Sequence, residues 1–256
     1  MSKLVQRLLI FFIGIPAVLA IVLFDKFNHI LLHVALVVVI SIALGELYNI
    51  LKTKGNLPPK IFLLVLSILH VLMSYLCILL KLSFEHVYMF FVISCLLIFS
   101  KEVILPTEKG NNDFEKSIYS IISGIFVIFY IGLLPTFISR LAFYENSVWY
   151  LSLYFVMTFI CDSFAWLFGM LFGKGNRGLI KVSPNKSIAG FIGGIFGSIL
   201  IALLTQHFFP QILPGHFYKA IILGFKLFSS QHNLSIAVSY NPVKVPSGPE
   251  IKCNSS

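Results

Sequence analysis

Seven long apolar runs, separated by short polar loops, constrain this chain more than any other feature. They are Leu8–Phe24, Ile30–Leu44, Ile61–Leu80, Val87–Ser100, Ser117–Phe137, Trp149–Leu171 and Ile188–Leu204. A helix needs about 20 apolar residues to cross a bilayer, so most of these runs are long enough, and the second and fourth are short. Only 11% of the 256 residues are charged, 58% are hydrophobic, and the mean hydropathy is +0.93. Soluble domains carry roughly 25% charged residues, and no core of this size hides so much apolar surface. The fold class expected is therefore all-α, a polytopic membrane helix bundle of about seven to eight transmembrane helices.

The first run, preceded by Lys3 and Arg7, has the outline of a signal peptide, with Ala17-Val-Leu-Ala20 as a cleavage site. Six further runs follow, which favours an uncleaved first span kinked near Pro16. Cations alternate along the chain. Lys3 and Arg7 flank the first span, Lys52, Lys54 and Lys60 follow the second, and Lys101, Lys109 and Lys116 follow the fourth. Lys174, Arg177, Lys181 and Lys186 follow the sixth, while the intervening loops hold little beyond Lys26, Lys81 and Arg140. By the positive-inside rule this predicts a cytoplasmic N-terminus, with the loop after the sixth span on the cytoplasmic face. The net charge of +9 is spread over these loops rather than gathered in one stripe, so it fits topology and anionic lipid better than nucleic acid.

Polar residues elsewhere invite structural readings. His33 and His70 are expected to form interhelical hydrogen bonds or to sit at span boundaries. Glu46 is expected to be solvated at the interface. Cys77, Cys95, Cys161 and Cys253 show no metal spacing and read as small hydrophobes. The Lys101–Lys116 segment reads as a mixed-charge loop without a motif.

One stretch carries chemistry. From Cys161 to Gly197 the chain reads CDSFAWLFGMLFGKGNRGLIKVSPNKSIAGFIGGIFG. Asp162 lies inside an apolar run, where an unpaired carboxylate costs about 3 kcal/mol by insertion scales. It calls for a cationic partner such as Lys186 or Arg177, or for a divalent cation; a structural ion pair would satisfy it equally well. Ser183 followed by Pro184 makes a good helix opening, with Ser as cap and Pro at the first position. Such a helix start offers free amides and a partial positive charge to a phosphate. Lys186 and Ser187, expected in its first turn, add a point charge and a hydroxyl. Gly190, Gly193, Gly194 and Gly197 form two overlapping small-xxx-small pairs that permit close helix approach. Magnesium suits the set because it binds one or two carboxylates together with substrate phosphates.

The order CD-S-x-A-W-x-x-G-x-x-F-G-K, a basic loop, then S-P-N-K-S-x-x-G-F-x-G-G resembles the phosphatidate cytidylyltransferase (CDP-diacylglycerol synthase) family. The resemblance is tight from Cys161 to Gly194 and looser over the rest of residues 1–225. It implies magnesium-dependent transfer of a cytidylyl group from CTP to phosphatidic acid, giving CDP-diacylglycerol and diphosphate in phospholipid synthesis. It further implies Asp162 and Lys186 as catalytic residues, with Asp162 as metal ligand. Lys174, Arg177, Ser183, Asn185 and Ser187 would bind substrate. The expected partners are CTP, phosphatidic acid and membrane lipids, with a homodimer as a candidate assembly and no nucleic acid. A bacterial inner (cytoplasmic) membrane is the expected location.

The chain departs from the family pattern at Ala189, where Glu is usual, and at Ser187, where Thr is usual. It also lacks the family's C-terminal run of acids, which supplies the principal metal ligands. After Phe225 the text turns to Ser, Pro, Asn and Lys and reads as coil or weak strand. The expected organisation is a transmembrane cytidylyltransferase-like domain over 1–225 and an atypical tail over 226–256, unstructured or read in a shifted frame. The other two frames past codon 225 test that reading. A CTP-dependent lipid kinase of the polyprenol or phytol type, and a small anion transporter, stand as alternatives.

Overall fold

The computed structural model describes residues 10–105, 113–175, 186–210, 212–213 and 216–239. Every regular element among them is a helix. A wide π-helical turn, Ile10–Gly14, leads into α1 (Ile15–Leu23), so that Pro16, where a kink is expected, stands in the first turn of the α-helix. The others are α2 (Lys26–Lys52), α3 (Lys60–Leu79), α4 (Glu85–Ile104), α5 (Asp113–Val127) running on as a π-helical segment Ile128–Leu133, α6 (Thr136–Leu141), α7 (Ser147–Phe172), α8 (Ile188–Phe208) and α9 (Phe217–Ser239). Among the described residues six helices are long and apolar enough to cross a membrane, and Phe12–Leu23 is a shorter apolar helix. Each of the seven apolar runs thus coincides with a helix. The two short runs lengthen into helices of 27 and 20 residues, because their polar flanks continue the helix into the interface. At 1.5 Å per residue, 20 residues span about 30 Å.

Two compact units divide the chain, Met1–Phe155 and Val156–Ser256. In the first, α2 buries one stripe, His29, Leu32, His33, Leu36, Ile40, Leu44 and Tyr48, at the three-to-four spacing of a single helical face. Its opposite face exposes Val34, Val38 and Ile42. In water such a surface would aggregate; against acyl chains it is the ordinary outer face of a membrane helix. Glu46 is exposed, as expected. Cys77 and Cys161 are buried and Cys95 partly so.

The histidines differ from expectation. His33 and His70 are buried, and each donates from Nδ1 to a carbonyl of its own helix, His29 at 2.9 Å and Leu66 at 2.7 Å. A carbonyl only accepts, so both imidazoles carry the Nδ1 proton. They meet neighbouring helices through their rings instead, His33 with Tyr75 and His70 with Phe90, both at 4.8 Å between centroids. At the start of α2, Phe27, Asn28 and His29 adopt left-handed angles (φ 53, 55 and 59). The Tyr75 hydroxyl donates to Phe27 O at 2.9 Å, and His29 Nε2 lies 2.8 Å from Ser147 Oγ, which offsets part of that strain.

A second departure is Glu102, which belongs to α4 rather than to a loop and is only 4% exposed. Its carboxylate accepts from Lys101 Nζ at 3.2 Å, Ser117 Oγ at 3.3 Å and Ser120 Oγ at 3.0 Å, so it joins α4 to α5. Removing a buried acceptor strands its donors. Glu102→Ala is expected to destabilise the protein by roughly 3 kcal/mol, and Glu102→Gln, which keeps one acceptor oxygen, by about 1 kcal/mol. Thermal unfolding of the two variants in detergent measures the difference.

The second unit holds the latter part of α7, with α8 and α9. The segment from Lys226 to Ser239, expected as coil or weak strand, is the second half of α9. Tertiary packing explains it. A Cβ on Gly224 would lie 2.8 Å from the Cα of Ile199, so α9 runs hard against α8. Phe228, 1% exposed, packs edge-on to Phe191 at 4.6 Å. Residues 240–256 lie outside the described residues.

Candidate functional site

The glycines of α8 determine how it meets α7. A Cβ on Gly190 would come within 2.7 Å of Ala165 O, one on Gly193 within 2.5 Å of Phe168 Cβ, and one on Gly197 within 2.9 Å of Phe164 Cβ. A Cβ on Gly190 would also meet Gly169 Cα at 3.5 Å, and one on Gly197 would meet Ile160 O at 3.3 Å. The contacts thus move from Gly169 back to Ile160 on α7 as α8 advances, and the two helices are antiparallel in near-backbone contact. Gly194 faces the other way, toward Phe228 of α9. Any side chain at these positions would separate the helices.

The N-terminus of α8 is capped by Ser187, whose Oγ accepts from Gly190 N at 3.1 Å. Its backbone is extended (φ −103, ψ 149), as a cap residue's should be. The cap expected at Ser183 is thus one turn later, and Lys186 precedes the helix instead of lying in its first turn. Ser183, Pro184 and Asn185 lie outside the described residues, as do Arg177 and Lys181. The reason for Ser187 is on α7. A Cβ on Gly169 would sit 3.1 Å from Ser187 Oγ, and one on Gly173 only 2.8 Å from it. The two α7 glycines leave a seat that the cap serine fills, and Ser187 is 8% exposed there.

This contact has a topological consequence. Gly173 and Ser187 touch, so the end of α7 and the start of α8 lie side by side. Lys174 follows one end and Lys186 precedes the other. Two lysines flanking an α-helix N-terminus in the chain add positive charge to an end whose first-turn amides already carry some. Gly175 takes φ +98, a turn conformation that side chains resist, as the chain leaves α7.

Asp162 is on α7, exposed within this unit. Residues 162, 166, 169 and 173 follow the i, i+4, i+7, i+11 spacing of one helix face. The acid therefore shares a stripe with the two glycines that seat Ser187. At 1.5 Å per residue it stands about 10 Å along the axis from Gly169. The described residues thus bring Lys174, Lys186 and Ser187 together at one helix end, with Asp162 on the same face two turns away. Sequence reasoning missed Gly169 and Gly173, although their spacing from Asp162 was a readable signal. Among the described residues no group of three or more His, Cys, Asp or Glu is placed to hold a metal ion.

The cytidylyltransferase family model matches residues 5–233. The chain is 41% identical over 69 residues to a phosphatidate cytidylyltransferase of Staphylococcus epidermidis, a match that covers 26% of each protein. A phosphatidate cytidylyltransferase of Staphylococcus aureus is 38% identical over the same length, again 26% of each. One from Aquifex aeolicus is 32% identical over 106 residues, 41% of this chain and 37% of the relative. The chain thus spans about a quarter to two-fifths of the length of these curated relatives. No solved structure matches it.

Proposed function

The chain belongs to the cytidylyltransferase family, and from that premise we propose that it makes CDP-diacylglycerol from CTP and phosphatidic acid. The phosphate oxygen of phosphatidic acid attacks the α-phosphorus of CTP, the bond from that phosphorus to the bridging oxygen breaks, and diphosphate leaves. Phosphoryl-type transfers of this kind ask the protein for positioning and charge neutralisation more than for covalent chemistry.

What carries the reading is the N-terminus of α8, capped by Ser187 and seated against Gly169 and Gly173. Lys174, Lys186 and the Ser187 end of α8 supply positive charge and amides for the triphosphate. Arg177, Ser183 and Asn185, on the same loop, add a guanidinium, a hydroxyl and an amide. Asp162, on the stripe leading away from Ser187, adds the one negative charge of this face, about two helical turns from Gly169. Embedding the acid beside apolar helix strengthens each of these charges relative to water. The loop is assigned to the cytoplasmic face of a bacterial inner membrane, where CTP is available, on the alternation of cations along the chain.

The expected magnesium ion meets a sparse donor set. The sequence of the second unit contains two acids, Asp162 and Glu250, and Glu250 is outside the described residues. Magnesium takes one or two carboxylates and completes its shell with water and substrate phosphate, so Asp162 would be the protein ligand of an ion that arrives with the nucleotide. The lysines and helix amides would share the neutralisation of the developing charge with that ion.

The test is a two-label assay on membranes containing the full chain with phosphatidic acid. Label from the α-phosphate of CTP entering the lipid phase, with the γ-label leaving in diphosphate, is the expected result. γ-Label in lipid would instead identify a CTP-dependent lipid kinase, and no label in lipid would contradict both.

A further inference from the structure

At the end of the first unit opposite Lys52, Lys54 and Lys60, the turn joining α3 to α4 faces the turn joining α6 to α7 across an open cleft of about 390 Å³. Phe84, Glu85, Tyr88, Arg140, Phe143 and Tyr144 line it. Phe84 and Phe143 meet edge to face at 5.8 Å and form an aromatic wall. Arg140, on the last turn of α6, donates from Nη1 to the Tyr88 hydroxyl at 3.3 Å. No carboxylate lies within ion-pairing distance of Arg140 among the described residues, although Glu85 lines the same cleft. Both Arg140 and Glu85 are exposed.

A guanidinium without an acid partner, held by one long hydrogen bond, keeps most of its five donors for a ligand. Its planar fork matches a phosphate better than any other common anion. The surroundings decide what carries that phosphate. One turn below Arg140, Phe137 is 45% exposed and packs against Tyr88, and Met89, next to Tyr88 along α4, is 63% exposed. The polar cleft thus opens onto a bare apolar helix face, the arrangement that a headgroup with acyl chains below it would fill. Tyr and Phe at a membrane interface sit at the depth of headgroups. We propose that this cleft binds a phospholipid headgroup, its phosphate on Arg140 and Tyr88 and its acyl chains along Phe137 and Met89. The site lies at the end of the first unit opposite the loop lysines of that unit and stands independently of the proposed transfer reaction.

The test uses the full chain purified in mild detergent and analysed by native mass spectrometry after addition of dioleoylphosphatidylglycerol. Lipid bound elsewhere is common to all variants, so the difference between variants reports this cleft. Arg140→Gln is expected to retain one lipid fewer per chain than the unaltered protein, with at least about tenfold weaker binding of that lipid. Tyr88→Phe, which removes only the hydroxyl, should weaken it less. Lys81→Gln, which removes a nearby interfacial charge outside the cleft, should leave retention unchanged. Dioleoylglycerol, which lacks the phosphate, should not occupy the site. Equal retention by Arg140→Gln and the unaltered chain, with both folded by thermal melt, would overturn the proposal. So would displacement of the lipid by inorganic phosphate alone, since the site would then recognise the free anion.

Discussion

Asp162→Asn and Lys186→Ala are each expected to lower cytidylyl transfer by at least about 100-fold while the protein still inserts and folds. The argument is electrostatic. Lys186 precedes the Ser187 cap, at the helix end where positive charge is concentrated. Alanine there removes a full charge from the point where negative charge develops on the triphosphate. Asp162→Asn keeps the size but removes the only carboxylate of this face, and with it the negative charge that would hold a magnesium ion on the triphosphate. Neither change opens a cavity, and Asp162 is exposed within its unit, so stability should move by less than about 1 kcal/mol. Initial rates with α-labelled CTP, alongside melting curves in detergent, separate lost chemistry from lost fold. Lys186→Arg should recover part of the rate, because the charge returns with a different shape. Near-normal turnover in either variant would return that residue to a structural role.

Gly193→Val is expected to lower stability and activity together. Its Cβ would stand 2.5 Å from Phe168 Cβ and 2.8 Å from Phe164 O. The second of these is backbone and cannot rotate away, so α8 must shift bodily from α7. Overpacking of this kind costs about 1–3 kcal/mol and often more where backbone blocks the way. The displacement also lifts Ser187 from its seat on Gly169 and Gly173, so activity should fall even in protein that remains folded. Ile192→Val, next along the chain but 56% exposed, removes one methylene from a lipid-facing side chain and should change neither property. Folded yield after size exclusion and the melting temperature measure the first effect. A Gly193→Val protein as stable as the parent would mean that the two helices do not approach as closely as the glycines indicate.

The helices were legible because a run of twenty apolar residues has few other structures open to it. Their ends were not, since Gly45 and Glu46 look like a terminus in sequence yet continue α2 to Lys52. The start of α8 shows the same limit at the site itself. Ser183 and Pro184 form the better local start signal, but a cap at Ser187 gains a seat between Gly169 and Gly173 that no local rule contains. Packing likewise made a helix of Lys226–Ser239, whose weak periodicity is offset by the contacts of Gly224 and Phe228 with α8. Glu102 was hidden among the charges that follow it. Its partners Ser117 and Ser120 lie on a different helix, and only folding brings them to the carboxylate. Of the candidate site, Lys186, Ser187 and Asp162 stood out by residue type in an apolar context, whereas the contact of Ser187 with Gly173 required the structure.

The central claim, that the triphosphate is held at the loop-and-helix junction beside Ser187, can be tested by photolabelling the full chain with a photoreactive CTP analogue and mapping the modified peptides. The account predicts adducts within Val156–Phe208, suppressed by excess CTP and largely lost in Lys186→Ala. CTP-protected adducts confined to Met1–Phe155, and unchanged by that substitution, would contradict it.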